Sequence, residues 1–500
     1  MKTVFALLFA LFVIGFGSLS NAATAQIKNS SSLLHAFESK PETDAIVFLN
    51  NQADLTGAER IIDRTQRIQF VYDKLRATAR ASQVELLETL KKENIEYQSF
   101  YLVNAVAVRK VTLQQLNRIN QLAAVKYIDV DRENKLNLPP VNEKAAAEPI
   151  ASDIPANITQ INADKVWANG IKGAGIVVAG ADTGYAWQHV ALKNQYRGYS
   201  TMGVKHDYSW HDSIHKKLSA SAVDSNCGYD SGEPCDDQSH GTHTMGSIVG
   251  LDVGVEKNKI GVAPAAKWIG CRNMDQGVGR ASTYLECFEF FLAPYPNGGN
   301  PMTDGMASMA PHVINNSWGC PADEGCTGNE FEQAIDNLQA AGIMVVASAG
   351  NDGPRCNTLN TAPGYYSGKI FSVASSDTRT GDISGFSSRG PSSWNGGLGP
   401  NITAPGGNVR SSVPKTGTTG DGYQLMSGTS MAGPHVVGAV ALLWSAKPEL
   451  IGNIQGTIDL VQRTARARTS SQKCGKFDGL DIPNAVFGYG IIDIQKAVAN

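Results

Sequence analysis

A chain of 500 residues exceeds what one hydrophobic core organises, so two or more domains are expected. It is 42% hydrophobic and 18% charged, with 51 glycines, the balance of a loop-rich globular protein rather than a disordered or fibrous one. Lysine and arginine total 43 against 46 acids, a net charge of -3, which leaves no electrostatic footprint for nucleic acid or an anionic membrane.

Met1-Lys2-Thr3 precedes an apolar run from Val4 to Phe16, then small and polar residues to Ala25. A basic start, a short apolar centre and an Ala-x-Ala-like end read as a secretory leader over 1–25, with Ala22 and Ala25 as cleavage points. The run is short for a membrane anchor, and no later segment is long and apolar enough to span a bilayer. Secretion is therefore expected.

Residues 26–137 read as a first domain. A strand at Ala45–Leu49 is followed by a long helical stretch, about Gly57 to Lys92, with Ile61, Ile62, Val71 and Leu75 among its apolar positions. A second strand covers Phe100 to Val111. Thr112 then caps a helix with Leu113, Leu116, Ile119 and Leu122 on one face, and Ala124–Val130 forms a third strand. The pattern predicts a small α+β, ferredoxin-like split βαβ module, which alone says nothing of function. Residues 138–155 open on Leu138-Pro139-Pro140, continue rich in Ala and Pro, and read as a linker.

From 156 to 500 strands and helices alternate. A helix at Ala163–Asn169 leads into strand Gly175–Ala181. A helix after Ser239, strand Ala266–Met274 and helix Ala281–Leu292 follow. Strand His312–Trp318, helix Glu330–Ala341, strands Gly342–Ser348 and Lys369–Ser375, and helices from Thr429 and over Ile454–Thr464 complete the series. This predicts an α/β domain of three layers with a mainly parallel sheet. Ligands of such sheets sit at the carboxyl ends of the strands.

All eight cysteines lie between Cys227 and Cys474. Cys227/Cys235 and Cys320/Cys326, close pairs in Gly/Pro-rich loops, are expected as disulfides. Cys271, Cys287, Cys356 and Cys474 leave pairing or buried thiols open. No C-x₂-C with matching histidines supports zinc.

Three polar groups fall at predicted strand or helix ends. Asp182, in Gly180-Ala181-Asp182-Thr183-Gly184, ends a strand; alone it is an ordinary turn aspartate. His240, in Ser239-His240-Gly241-Thr242-His243, opens a helix, where a capping or surface role is the commoner one. Ser430, in Gly428-Thr429-Ser430-Met431-Ala432-Gly433-Pro434-His435, stands at the start of an apolar helix and reads equally as an N-cap or a nucleophile. Together they supply an acid, a base and a nucleophile. Asn351, after the strand Val345–Ser348, adds a side-chain donor for an oxyanion. The α/β-hydrolase order is excluded, and Ala432 breaks the G-x-S-x-G elbow.

These four motifs resemble those of the subtilisin-like serine proteases, the subtilase family, in order and spacing. Gly261-Val262-Ala263-Pro264 and Asn316-Ser317-Trp318-Gly319 extend the resemblance, which runs from about Ala156 to the C-terminus. It implies a secreted serine endopeptidase that works through an acyl-enzyme on protein and peptide substrates, expected as a monomer. The catalytic residues would be Asp182, His240, Ser430 and Asn351. Ser317, Trp318 and Gly319 would offer a substrate-binding edge strand, with Ala349 and Gly350 beside it. Residues 26–137 are similar to the family's propeptide, an intramolecular chaperone and inhibitor, with Asn134–Asn142 as the tail in the active site and processing within 138–155.

Departures from the family pattern are specific. The Gly250–Gly261 segment lacks the Asn-x-Ile-x-Val run of the family's calcium loop, so no cofactor is assigned; calcium is left open as a structural ion. Asp230, Glu233, Asp236 and Asp237 read as a solvated acidic loop, with oxygen-ligand roles as the alternative. Where the family often has Tyr-Pro, Tyr366 is followed by Ser367, which puts a cis bond there in doubt. Asp352 reads as a loop carboxylate or a group favouring basic side chains. Asn315 opens an N-x-S pattern but lies in a predicted buried strand. A silent binding fold and a lipase are the competing functions. The intact residue set argues against the first; the missing elbow and the propeptide-like domain argue against the second.

Overall fold

The computed structural model describes residues 31–140, 153–218, 224–252, 258–321, 326, 331–415 and 421–500. The expected leader and most of the linker lie outside these residues.

A short helix, α1 (Ser31–Ser39), precedes an N-terminal domain of four strands: β1 (Glu42–Leu49), β2 (Tyr97–Phe100), β3 (Ala105–Thr112) and β4 (Val125–Val130). Their order is β2-β3-β1-β4, with every pair antiparallel. Side chains alternate across the sheet. Ala45, Val47, Leu49, Val106 and Val108 face the domain's own helices through Leu86, Leu90, Leu116 and Ile119. Ile46, Phe48, Ala105 and Ala107 face the larger domain and join its core.

Two boundaries differ from the sequence expectation. The long helix is two, α2 (Arg64–Ser82) and α3 (Val84–Lys92). The break falls at Gln83, whose buried amide turns inward to donate to the Phe100 carbonyl at 3.1 Å and to Asn104 Oδ1 at 3.1 Å. The second strand is likewise two, β2 and β3, because the chain reverses through 101–104. Asn104 there takes the left-handed conformation (φ 46°), which asparagine tolerates. Thr112 caps α4 (Leu113–Asn120) in a capping box with Gln115.

The larger domain is built on seven parallel strands. They are β6 (Val177–Asp182), β7 (Trp210–Asp212), β8 (Lys267–Arg272), β10 (Val313–Asn316), β11 (Met344–Ser348), β12 (Phe371–Asp377) and β13 (Ile402–Gly407). The order is β13-β12-β11-β10-β6-β8-β7. A short strand β5 (Glu133–Lys135) follows the N-terminal domain and pairs with β9 (Val278–Arg280), outside this sheet. The central strands are buried on both faces, as a parallel sheet covered by helices requires. Two edge strands escape the sequence pattern. β7 is three residues long, and β13 carries Pro405, Gly406 and Gly407, a loop composition that an edge position tolerates.

Helix α5 (His240–Val249) packs against α8 (Thr429–Ala446), which crosses the sheet from β10 to β13. Between them in sequence, α6 (Ala281–Leu292) and α7 (Glu332–Ala340) lie toward the N-terminal domain's side. All eight cysteines are paired: Cys227–Cys235, Cys271–Cys287, Cys320–Cys326 and Cys356–Cys474.

The N-terminal domain docks by reciprocal contacts. Asp131 accepts from Ser282 N at 3.0 Å at the start of α6. Glu289, farther along α6, accepts from Tyr101 N at 2.7 Å and Leu102 N at 3.0 Å. Arg67 on α2 donates to the Ala340 and Gln339 carbonyls at 2.7 and 3.2 Å, closing the carboxyl end of α7.

Candidate active site

Asp182 is the last residue of β6, so its carboxylate emerges at the carboxyl edge of the sheet. Oδ1 accepts from His240 Nδ1 at 2.7 Å and from Thr183 N at 2.7 Å. Both side chains are out of water, 0% exposed for His240 and 1% for Asp182. Gly241 permits this approach: a Cβ there would stand 2.1 Å from the Gly184 carbonyl and 3.1 Å from Asp182 Cβ.

The residue that holds strand end and helix together is Asp236. It is fully buried and accepts from Gln238 N at 3.0 Å, Ser239 N at 2.8 Å and Thr242 N at 2.9 Å, satisfying donors around the first turn of α5. It also accepts from Thr183 Oγ1 at 2.9 Å, beside the acid. The expectation of a solvated acidic loop is therefore corrected for Asp236, and for Asp237. Asp237 accepts from Gln276 N at 2.9 Å and Ser225 Oγ at 2.6 Å, and burial pushes its carboxyl up to about 6. Asp230 pairs with His215 at 2.5 Å, and Glu233 lies 3.8 Å from His206. The four acids have separate partners, and among the described residues no group of three or more His, Cys, Asp or Glu is arranged to hold a metal ion.

Ser430 is the second residue of α8. The cap reading falls away: Gly428 is the N-cap of the helix. Ser430 Oγ instead donates to the Ser317 carbonyl at 2.9 Å, and Ser317 Oγ donates back to the Ser430 carbonyl at 2.9 Å. The second bond has a cause in the sequence. Pro434 lacks the N–H that would close the helical bond to residue 430, and Ser317 takes its place. His240 Nε2 is buried without a hydrogen-bond partner. The structure thus pairs acid with base, while the serine hydroxyl is hydrogen-bonded to the Ser317 carbonyl and not to the imidazole.

Asn351 follows β11. Its Oδ1 accepts from Thr429 N and Thr429 Oγ1, each at 2.9 Å. Those bonds fix the amide so that Nδ2 faces outward, next to the amino end of α8. It donates there to the carbonyl of Asn137 at 3.2 Å. The cleft at this point is lined by Lys135, Leu136 and Asn137 from one side and by Ser317–Gly319, Gly350 and Ser430 from the other. Ala349 is fully buried and gives its N–H to the Val373 carbonyl at 3.0 Å, leaving the lining to its neighbours.

The edge that receives this segment is β9. Lys135, Asn134 and Glu133 pair with Val278, Gly279 and Arg280, and Leu136 N donates to the Gly277 carbonyl at 2.8 Å. Ser317–Gly319 faces the segment from across the cleft. The cis bond of the neighbouring wall is Ala362–Pro363, upstream of Tyr366-Ser367. Asn315 is buried and donates to Ser317 Oγ at 2.8 Å, an internal role.

The other nearby histidines stay neutral. Burial pushes His243 down to about 3 and His435 down to about 4.

Sequence reasoning missed Asp236, Thr183 and Thr429 as partners and Gly277–Arg280 as the receiving edge. Thr183 and Thr429 sit inside the motifs quoted for their neighbours. Asp236 precedes His240 by four residues, a spacing that only the folded first turn makes meaningful.

Residues 173–490 match the model of the subtilase family of peptidases. The chain is 32% identical over 511 aligned residues to bacillopeptidase F of Bacillus subtilis, covering 96% of this chain and 33% of that protein. It is 30% identical to subtilisin DY of Bacillus licheniformis, covering 69% of this chain and 99% of the relative. Among solved structures, fervidolysin of Fervidobacterium pennivorans, described as a keratinolytic enzyme related to subtilisin, shares the fold with a TM-score of 0.61 at 20% identity, over 92% of this chain and 61% of that one. The chain thus spans a third of bacillopeptidase F and about three fifths of fervidolysin.

Proposed function

Since the chain belongs to the subtilase family, we propose that it is a serine endopeptidase, exported and made as a zymogen that processes itself. One observation carries the proposal: the chain's own segment 133–137 lies in the cleft as an added strand, its Asn137 carbonyl on the Asn351 amide. A peptide carbonyl at a side-chain donor and a helix N-terminus, beside a serine, is the ground state of acyl transfer. Export is supported by the leader-like residues 1–25 and by four disulfides.

In this mechanism Ser430 Oγ rotates from the Ser317 carbonyl toward His240 Nε2, gives up its proton there and attacks the carbonyl carbon. Asp182 holds the Nδ1–H tautomer and stabilises the imidazolium. The oxyanion is met by Asn351 Nδ2 and the Ser430 N–H. His240 returns the proton to the leaving amine, and water hydrolyses the acyl-enzyme by the same steps. Hydrolysis of casein with no turnover of triglyceride tests the reaction class; the reverse result would make the protein a lipase.

Asn351→Leu should lower kcat about 10²–10³-fold, with KM changed less than threefold, in steady-state assays on a peptide amide. That is the size measured for the same kind of donor in subtilisin. A KM effect alone would assign Asn351 to binding.

The N-terminal domain acts as inhibitor until it leaves, and its docking carries a pH term. Burial pushes the Glu289 carboxyl up to about 8 against an ordinary 4.5. The docked state therefore holds a proton that the free body releases between about pH 5 and 8. Docking is favoured below that window and weakens as pH rises through it, by at most about tenfold per unit. His215, held protonated up to about 10 chiefly by its hydrogen bond to Glu286, does not titrate there. Size-exclusion chromatography of the cleaved protein should retain the complex at pH 5 and lose it near pH 8.5, and Glu289→Gln should flatten the dependence.

A further inference from the structure

Resting on the serine-protease reading, we infer that the processed bond is Asn137–Leu138 and that the pocket before the scissile bond takes short polar side chains, with Thr361 as the residue that closes it. The bond follows from the path of the chain. Glu133, Asn134 and Lys135 are held by β9, Leu136 N is held by Gly277, and the Asn137 carbonyl meets Asn351 Nδ2 at 3.2 Å. Two residues on, Pro139 Cδ lies 3.7 Å from where a Cβ on Gly428 would stand, just before the Thr429-Ser430 turn. The carbonyl carbon next to Ser430 is therefore that of Asn137, with Leu138 and Pro139 on the leaving side.

The pocket size follows from two glycines. The cleft of about 260 Å³ has Gly319 on one wall and Gly350 on the other, with Thr361 between them. A Cβ on Gly319 would stand 2.3 Å from Thr361 Cγ2, and one on Gly350 would stand 3.8 Å from Thr361 Oγ1. Thr361 thus fills the space that the absence of side chains on both walls would leave open. Thr361 shortens the pocket that residue 137 lines, which favours a short side chain such as asparagine over phenylalanine or lysine.

Polarity follows from the remaining lining. The Ser348 hydroxyl is buried without a partner. Asn360 is best oriented with its amide nitrogen donating to the Thr358 carbonyl at 2.9 Å, Asp352 Oδ2 at 3.2 Å and Thr361 Oγ1 at 3.2 Å. An amide side chain entering this pocket finds hydroxyl partners in Ser348 and Thr361.

Mass spectrometry of the cleaved wild-type protein should find Leu138 as the new N-terminus. Peptides of the chain's own sequence 134–139, with Asn, Phe or Lys at the position of residue 137, should rank Asn at least tenfold above the other two in kcat/KM. Thr361→Gly should raise the Phe-to-Asn ratio at least tenfold. If that variant does not fold, Asn137→Phe and Asn137→Lys in an otherwise wild-type chain should slow self-cleavage at 138 at least tenfold. A mature terminus elsewhere, a wild-type preference for Phe or Lys, or an unchanged ratio in Thr361→Gly overturns the inference. So does unslowed cleavage in both tail variants. Fluorophosphonate labelling separates the two levels. With Ser430 labelled, any of these results sinks the pocket assignment alone; without labelling, the serine-protease reading itself fails.

Discussion

Ser430→Ala is expected to leave the full chain uncleaved and to lower kcat about 10⁶-fold on any peptide, the loss found for the equivalent knock-out in subtilisin. The change removes one hydroxyl whose only hydrogen bond among the described residues runs to the Ser317 carbonyl. It caps nothing, since Gly428 is the N-cap of α8. Thermal stability should therefore stay within about 1 kcal/mol of wild type, which separates a catalytic from a structural loss. Gel analysis of purified protein, with other proteases absent, reads the outcome directly. Normal processing in this variant would mean that another protease cuts the tail.

Asp182→Asn is the second large effect, expected at about 10⁴-fold in kcat with little change in KM. The asparagine keeps the shape of the site. Its amide NH₂ turned toward Nδ1 favours the tautomer with the proton on Nε2, which cannot accept from Ser430. Thr183 N is accepted by the same Oδ1 at 2.7 Å, so the turned amide leaves that N–H without its acceptor, a cost of about 1–3 kcal/mol that the fold should survive. A loss below tenfold would show that His240 is oriented by Thr183, Asp236 and the helix alone.

The elements that carry chemistry were the most legible in the sequence. α6 and its bounds, the Thr112 cap, the parallel core strands and the amino ends of α5 and α8 follow from apolar runs bounded by glycine and small polar residues. Local pattern gave out where tertiary contacts decide. Gln83 breaks a helix that periodicity continues, because its amide serves a turn 17 residues away. β13 is a strand despite Pro405 because it lies at a sheet edge. Asp236 looks like one more surface acid until Thr183 and Thr242 close over it. The receiving edge Val278–Arg280 has no motif of its own; it becomes an edge only when the segment 133–135 reaches it. Cys356–Cys474, 118 residues apart, is likewise a fact of the fold and not of spacing.

The most direct measurement is active-site labelling of the mature protein with a fluorophosphonate, followed by peptide mapping. One adduct on Ser430 is predicted, formed at a rate that falls at least 10²-fold in His240→Ala. An unlabelled protein, an adduct on another serine, or an unchanged rate in His240→Ala would contradict the assignment of Ser430 as a nucleophile activated by His240.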